Sequence, residues 1–190
     1  LGAGQGAFDQ RLIDNGFENL KSIDMVDYYK SAKKNLDLRD LNKDFYDLGK
    51  FDYIFALEII EHLENQFHFI RNIEKLMKVN STLFLSTPNI ERKSLRIRFL
   101  FKNILEFFTP NDLEISGHIS IISDTIFKWN LQQSNLSVQK KTYNRDYFSR
   151  DNFTQSTIGF KILFLITKLF GRFLPGTDGV ICIYEICRNK

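Results

Sequence analysis

The chain reads as an α/β protein, a doubly wound and mostly parallel sheet, on three observations. A glycine-rich loop, Leu1-Gly2-Ala3-Gly4-Gln5-Gly6, feeds directly into helix-compatible sequence. An unbroken apolar run, Tyr53 to Leu57, has strand length without polar alternation, which suits a central parallel strand buried on both faces. Strand-like and helix-like stretches alternate up to about residue 90, the pattern that builds a parallel sheet.

The glycine loop precedes a helix over Ala7 to Asn15, stopped by Gly16. Such a loop allows close approach of backbone to a ligand and offers free N–H groups to polar atoms. Leu20 to Ile23 is a short strand ending at Asp24, placed where a carboxylate can accept hydrogen bonds from ribose hydroxyls. Asp27 is expected to cap a helix running through Lys33. Leu36 and Leu38 alternate with polar neighbours as a third strand, closed by Asp40-Leu41-Asn42, which suits either a turn or an adenine edge. The apolar strand is followed at once by Glu58, Glu61 and His62. In a helix, offsets of three and four residues would set these on one face. Acidic residues at a helix start also simply complement its dipole.

Glu64 to Lys78 is predicted helical, with Phe67, Ile70, Ile73 and Met77 at helical spacing and His68 beside that stripe in a surface or structural role. Asn80-Ser81 is a predicted break, Thr82 to Leu85 a fifth strand, and Pro88 its stop. Leu95 to Phe108 has the pattern of a basic amphipathic helix, either a lid or a helix packed on the body. Gly117-His118-Ile119-Ser120 is an irregular turn, and a helix follows over Asp124 to Gln133 with Ser123 as N-cap. Val138 to Thr142 is a sixth strand, Thr142 to Ser156 a polar loop, and Val180 to Cys187 a closing strand. Ile158 to Leu174 is strongly apolar, but Lys161, Lys168 and Arg172 make it too charged and too short to span a bilayer; it fits a membrane surface, a subunit interface or the core.

With 190 residues, the chain is long enough for one domain with one sizeable core. Residues 1–90 carry 11 Lys+Arg and 14 Asp+Glu, net −3, leaving 15 and 9, net +6, for residues 91–190. No block of like charge is long enough to be a nucleic-acid tail. Cys182 and Cys187 are five residues apart in a strand, hence on opposite faces, and a reduced, cytoplasmic protein is expected.

L-G-A-G-Q-G-A-F at 1–8, S-I-D-M at 22–25, D-L-N at 40–42, F-D-Y-I-F-A-L-E-I-I-E-H-L at 51–63 and L-F-L-S-T-P-N at 83–89 together resemble class I S-adenosylmethionine-dependent methyltransferases, and more narrowly the ubiquinone biosynthesis O-methyltransferase branch. The resemblance implies a seven-stranded Rossmann-like sheet with an antiparallel last strand, in one domain whose first strand largely precedes Leu1. It places the methionine moiety of the cofactor on Gly2, Gly4 and Gly6, its ribose on Asp24, its adenine against Met25, Asp40 and Leu41, and its sulfonium near Leu57. His118 and His62 are the candidate bases. Glu58, Glu61, His62 and His118 are the candidate ligands for a divalent ion, with magnesium expected. The acceptor is expected to be a small molecule or a lipid- or saccharide-linked group, met through peripheral membrane contact rather than with nucleic acid. Two rivals stay open: an NAD-dependent oxidoreductase, since Gly2, Gly4 and Ala7 also fit G-x-G-x-x-A, and a non-catalytic cofactor-binding domain.

Overall fold

The computed structural model describes residues 1–31, 35–144 and 157–189. Helix α1 (Ala7–Asp14) precedes β1 (Ser22–Asp24) and β2 (Leu36–Leu38), which pair in parallel as a small sheet. Next come β3 (Phe51–Leu57), α2 (Gln66–Leu76), β4 (Met77–Pro88), α3 (Lys93–Lys102), α4 (Pro110–Ser116), α5 (Asp124–Gln133), β5 (Leu136–Tyr143), α6 (Ile158–Phe170) and β6 (Ile181–Arg188). The larger sheet has the order β3-β4-β6-β5; β3 and β4 are parallel, and β6 runs antiparallel to both of its neighbours. The expected mixed sheet with an antiparallel last strand is thus present. The described residues form six strands in two sheets, not the seven in one that the resemblance implies.

Apolar side chains from one face of the larger sheet meet α2 and α5. Ile54, Ala56, Leu83, Leu85, Tyr184 and Ile186 from the strands pack with Phe69, Ile73, Phe127 and Leu131 from the helices, all buried. Helix α2 starts where the Asn65 side chain accepts from the His68 N–H at 2.9 Å, and it ends where Met77 turns extended to begin β4. Pro88 closes β4, as expected.

Between the two sheets lies a groove of about 590 Å³ lined by Phe8, Leu12, Ile23, Ile54, Phe55 and Phe84 among others. Residues 1–3 bridge its upper end. The Leu1 nitrogen donates to Phe55 O at 2.7 Å, and the Ala3 N–H to Ile23 O at 3.0 Å. Among the described residues β3 is the outer strand of its sheet, with Tyr53 exposed, where a central strand buried on both faces is expected.

Other local expectations shift as well. Asp27 caps no helix: residues 27–31 are irregular, its side chain accepts from the Tyr29 N–H at 3.4 Å, and Lys33 lies outside the described residues. Asn80-Ser81 does not end the strand but bulges within β4, where the pairing jumps from Phe51↔Met77 to Tyr53↔Thr82. The basic helix spans Lys93–Lys102 instead of reaching Phe108, because Asn103 adopts a left-handed conformation (φ 51°) and stops it. Helix α4, with Thr109 and Asp112 in a capping box, lies in a stretch for which no element is predicted above. Most of the polar loop expected over Thr142 to Ser156 lies outside the described residues.

Asp124 ties α5 to the sheet. Its carboxylate accepts from Lys141 Nζ of β5 at 2.9 Å and Tyr184 Oη of β6 at 3.0 Å, and it pairs with Lys128 Nζ at 2.9 Å. Burial alone would raise its pKa, but the lysine bonds outweigh it and the net shift is downward. A depressed folded pKa gives stability that is present above the ordinary value of 3.8 and lost as pH falls below it. Asp124→Asn should therefore cost about 1–3 kcal/mol at neutral pH, a deficit constant from mildly acidic to neutral pH that narrows below 3.8; urea denaturation across pH measures it.

Candidate active site

The glycine loop passes over the ends of β1 and β3, and two of its glycines are required by what they touch. Gly2 (φ 67°) lies so close to Ile59 that a Cβ would sit 2.8 Å from its side chain. Gly6 (φ 79°) presses on the Tyr29 ring at 2.8 Å in the same sense. Gly4 faces open space, and its N–H donates to Asp24 Oδ2 at 2.7 Å. Asp24 Oδ1 accepts from the Val26 N–H at 3.2 Å, so the carboxylate is held in place with lone pairs to spare. Met25 beside it is 65% exposed. Asp40 forms a turn, accepting from the Asn42 N–H at 2.9 Å, and the Leu41 side chain is buried in the core.

Past Leu57 at the end of β3, the chain turns sharply at Glu58, whose φ of 52° is rare for a residue with a side chain. Glu58 Oε1 accepts from Ser86 Oγ at 2.7 Å. A single 3₁₀ turn, Ile60–His62, follows in place of a longer helix. Its Glu61 carbonyl accepts from the Ile119 and Ser120 N–H groups, both at 2.9 Å, which clamps the 117–120 segment onto the turn. His118 is thereby brought against His62, with ring centroids 4.8 Å apart and nearly perpendicular.

Glu61, His62 and His118 offer ligand atoms within 4.8 Å of one another. Glu58 stands outside this group, bonded to Ser86, so the four expected residues converge as three. Glu61 is fully buried; Oε2 accepts from Thr87 Oγ1 at 3.1 Å, and Oε1 has no hydrogen-bond partner. Burial first, and then the nearby Glu58 charge, push its pKa up to about 8. The imidazoles are oriented from behind. His62 Nδ1 meets Gly117 O at 3.2 Å and His118 Nδ1 meets Phe107 O at 2.8 Å. A carbonyl only accepts, so each Nδ1 carries a proton and Nε2 is the ring atom turned to the site. Burial, followed by the neighbouring His118, lowers the His62 pKa, which favours its neutral form.

Ser86, Thr87 and Phe107 were not legible as site residues. The first two lie in S-T-P-N, a strand end that carries part of the resemblance but was assigned no site residue. Phe107 has a φ of 74°, rare for a bulky residue, and it lies beneath the guanidinium of buried Arg92, which donates to Glu106. His68, as expected, is structural, set against Asn72 at 3.1 Å.

Residues 1–141 match the family model described as a methyltransferase domain. The chain belongs to that family. The mitochondrial ubiquinone biosynthesis O-methyltransferase of Dictyostelium discoideum is 27% identical over 116 residues, covering 50% of this chain and 36% of the relative; the match thus takes in about a third of that relative's length. A SAM-dependent methyltransferase from Archaeoglobus fulgidus superposes with a TM-score of 0.57 at 17% identity, over 97% of this chain and 83% of that one. Another from Mesorhizobium loti gives 0.60 at 10% identity, over 98% and 88%. These structures show the methyltransferase fold.

A carboxyl with a raised folded pKa keeps its proton in the native state while the unfolded chain releases it, so it lowers stability as pH rises from 4.5 towards 8. In EDTA, Glu61→Gln removes that slope. Its melting temperature relative to the parent should rise with pH across this window, by the equivalent of roughly 3 kcal/mol. A pH-independent difference would show that Glu61 titrates normally.

Proposed function

We propose that this chain binds S-adenosylmethionine across the glycine loop and transfers its methyl group to an acceptor hydroxyl seated at Glu61, His62 and His118. The contact of Gly2 with Ile59 carries this reading, because it sets the loop one residue from Glu58 and two from Glu61. Gly2, Gly4 and Gly6 would hold the methionine moiety, Asp24 the ribose hydroxyls, Met25 and Asp40 the adenine surroundings, and the Leu41 backbone N–H its edge. Leu57, at the strand end, would line the approach to the sulfonium. The acceptor is a small molecule or a saccharide- or lipid-linked hydroxyl.

Transfer is an in-line displacement. The acceptor oxygen forms a bond to the methyl carbon as the carbon–sulfur bond breaks, releasing S-adenosylhomocysteine, and the hydroxyl proton passes to an imidazole. The sulfonium is a good leaving group, so the protein chiefly supplies alignment and excludes water. His118 Nε2 and His62 Nε2 are the bases, each left to accept because the Nδ1 of its ring donates to a backbone carbonyl.

The same three residues fit a divalent cation. An orphaned buried carboxylate oxygen and two aimed imidazole lone pairs form a two-nitrogen, one-oxygen donor set. Bound there, such an ion would lower the pKa of the acceptor hydroxyl as a Lewis acid. With Glu58 bonded to Ser86, this set suits manganese, iron or zinc better than the magnesium expected from two carboxylates.

Calorimetry with S-adenosylmethionine and S-adenosylhomocysteine tests the cofactor site. Asp24→Ala should weaken both by about 1.5–3 kcal/mol, and an unchanged affinity rejects the ribose assignment. Thermal shift with Mn²⁺ tests the metal: the parent should gain stability while Glu61→Gln and His118→Ala do not. An equal gain in all three places the ion elsewhere.

A further inference from the structure

We propose that α3 and α6 form one docking surface for an anionic lipid bilayer. Helix α6 exposes Ile158, Ile162, Leu165 and Leu169 at successive spacings of four, three and four residues, one continuous stripe, each more than half exposed. Phe170 and Phe173 extend it at 61% and 73% exposure, and α3 adds Leu100 and Phe101 at 77% and 70%.

The two helices are held as a unit. Asp178, just after α6, accepts from the Ser94 N–H at the start of α3 at 2.8 Å. The Lys93 N–H and Arg96 Nη1 donate to the Thr177 and Pro175 carbonyls at 3.1 and 3.2 Å. Buried Thr167 faces the body of the protein. The apolar stripe is therefore the outward face of a fixed pair of helices.

Charge selects the partner. Residues 92–105 contain five Lys or Arg and no Asp or Glu, and residues 157–177 contain three and none. Lys102, Lys168 and Arg172 are exposed around the apolar side chains, an arrangement complementary to lipid phosphates beneath a band of acyl chain. No described helix is long and apolar enough to cross a membrane. The 13 residues of α6 reach about 20 Å at 1.5 Å per residue, enough to lie in the interface. Arg98 of α3 donates to Glu106 at 3.0 Å, next to Phe107, whose carbonyl holds His118, so α3 is tied to the connection that positions that imidazole.

Co-sedimentation with phosphatidylcholine vesicles, with and without phosphatidylglycerol, tests the proposal. Binding should be at least about tenfold tighter to the anionic vesicles and weaken in high salt. Lys102→Glu, Lys168→Glu and Arg172→Glu together, or Leu165→Asp alone, should abolish that preference while leaving circular dichroism and the affinity for S-adenosylmethionine unchanged. Equal binding to both vesicles, or none, overturns the proposal. So does sedimentation showing that the stripe instead joins two copies of the chain, with Leu165→Asp yielding monomers. Because vesicle binding is read without turnover, its failure is distinguishable from failure of the methyl-transfer reading.

Discussion

The burial of one carboxyl, that of Glu61, organises the edge of the sheet where the candidate chemistry lies. Enclosing a carboxyl with a single hydroxyl partner is unfavourable, and the surrounding fold holds it there. Ile60, which opens the 3₁₀ turn, and Leu63, which follows it, are core residues, so the turn cannot move outward without exposing them. The left-handed Glu58 sets the angle at which the chain leaves β3, and the Glu61 carbonyl fixes the 117–120 segment overhead. A raised pKa and an unpartnered oxygen are what remains of that unfavourable placement, and they make the site receptive to a proton or a cation.

His118 illustrates how a distant residue is recruited. It is 56 positions from His62 in sequence, and two devices bring the rings together: backbone bonds from Ile119 and Ser120, and the Phe107 carbonyl behind it. Phe107 is itself forced into a left-handed conformation between Asn103, which ends α3, and Thr109, which begins α4. Strain is thus placed in the connection between the exposed helix and the imidazole.

Periodicity and glycine spacing made much of this legible. The Tyr53 to Leu57 run, the helix after Ser123, the Pro88 stop and the return of the closing strand follow from side-chain pattern alone, because burial and backbone geometry act on them locally. The convergence of Glu61, His62 and His118 was anticipated, since residues at strand ends share an edge. The bond of Glu58 to Ser86 was not legible, because Ser86 lies on a neighbouring strand that spacing along one chain cannot reveal. The bulge at Asn80-Ser81 escaped for a similar reason: polar residues look like a break until the pairing with β3 and β6 carries the strand through them. Helix α4 and the early end of α3 depend on the conformations of single residues, Asn103 and Thr109, within an otherwise continuous amphipathic pattern.

Among the described residues, the two parts of the proposed cofactor site ride on different hydrogen-bond ladders. Asp24 belongs to the small sheet, and the turn after β3 belongs to the large one, joined at this edge through the loop and the bridging bonds of Leu1 and Ala3. A ligand touching both would act as a tertiary cross-link, and its binding energy would appear partly as cohesion between the sheets. Occupancy and architectural integrity are then the same equilibrium seen from two sides.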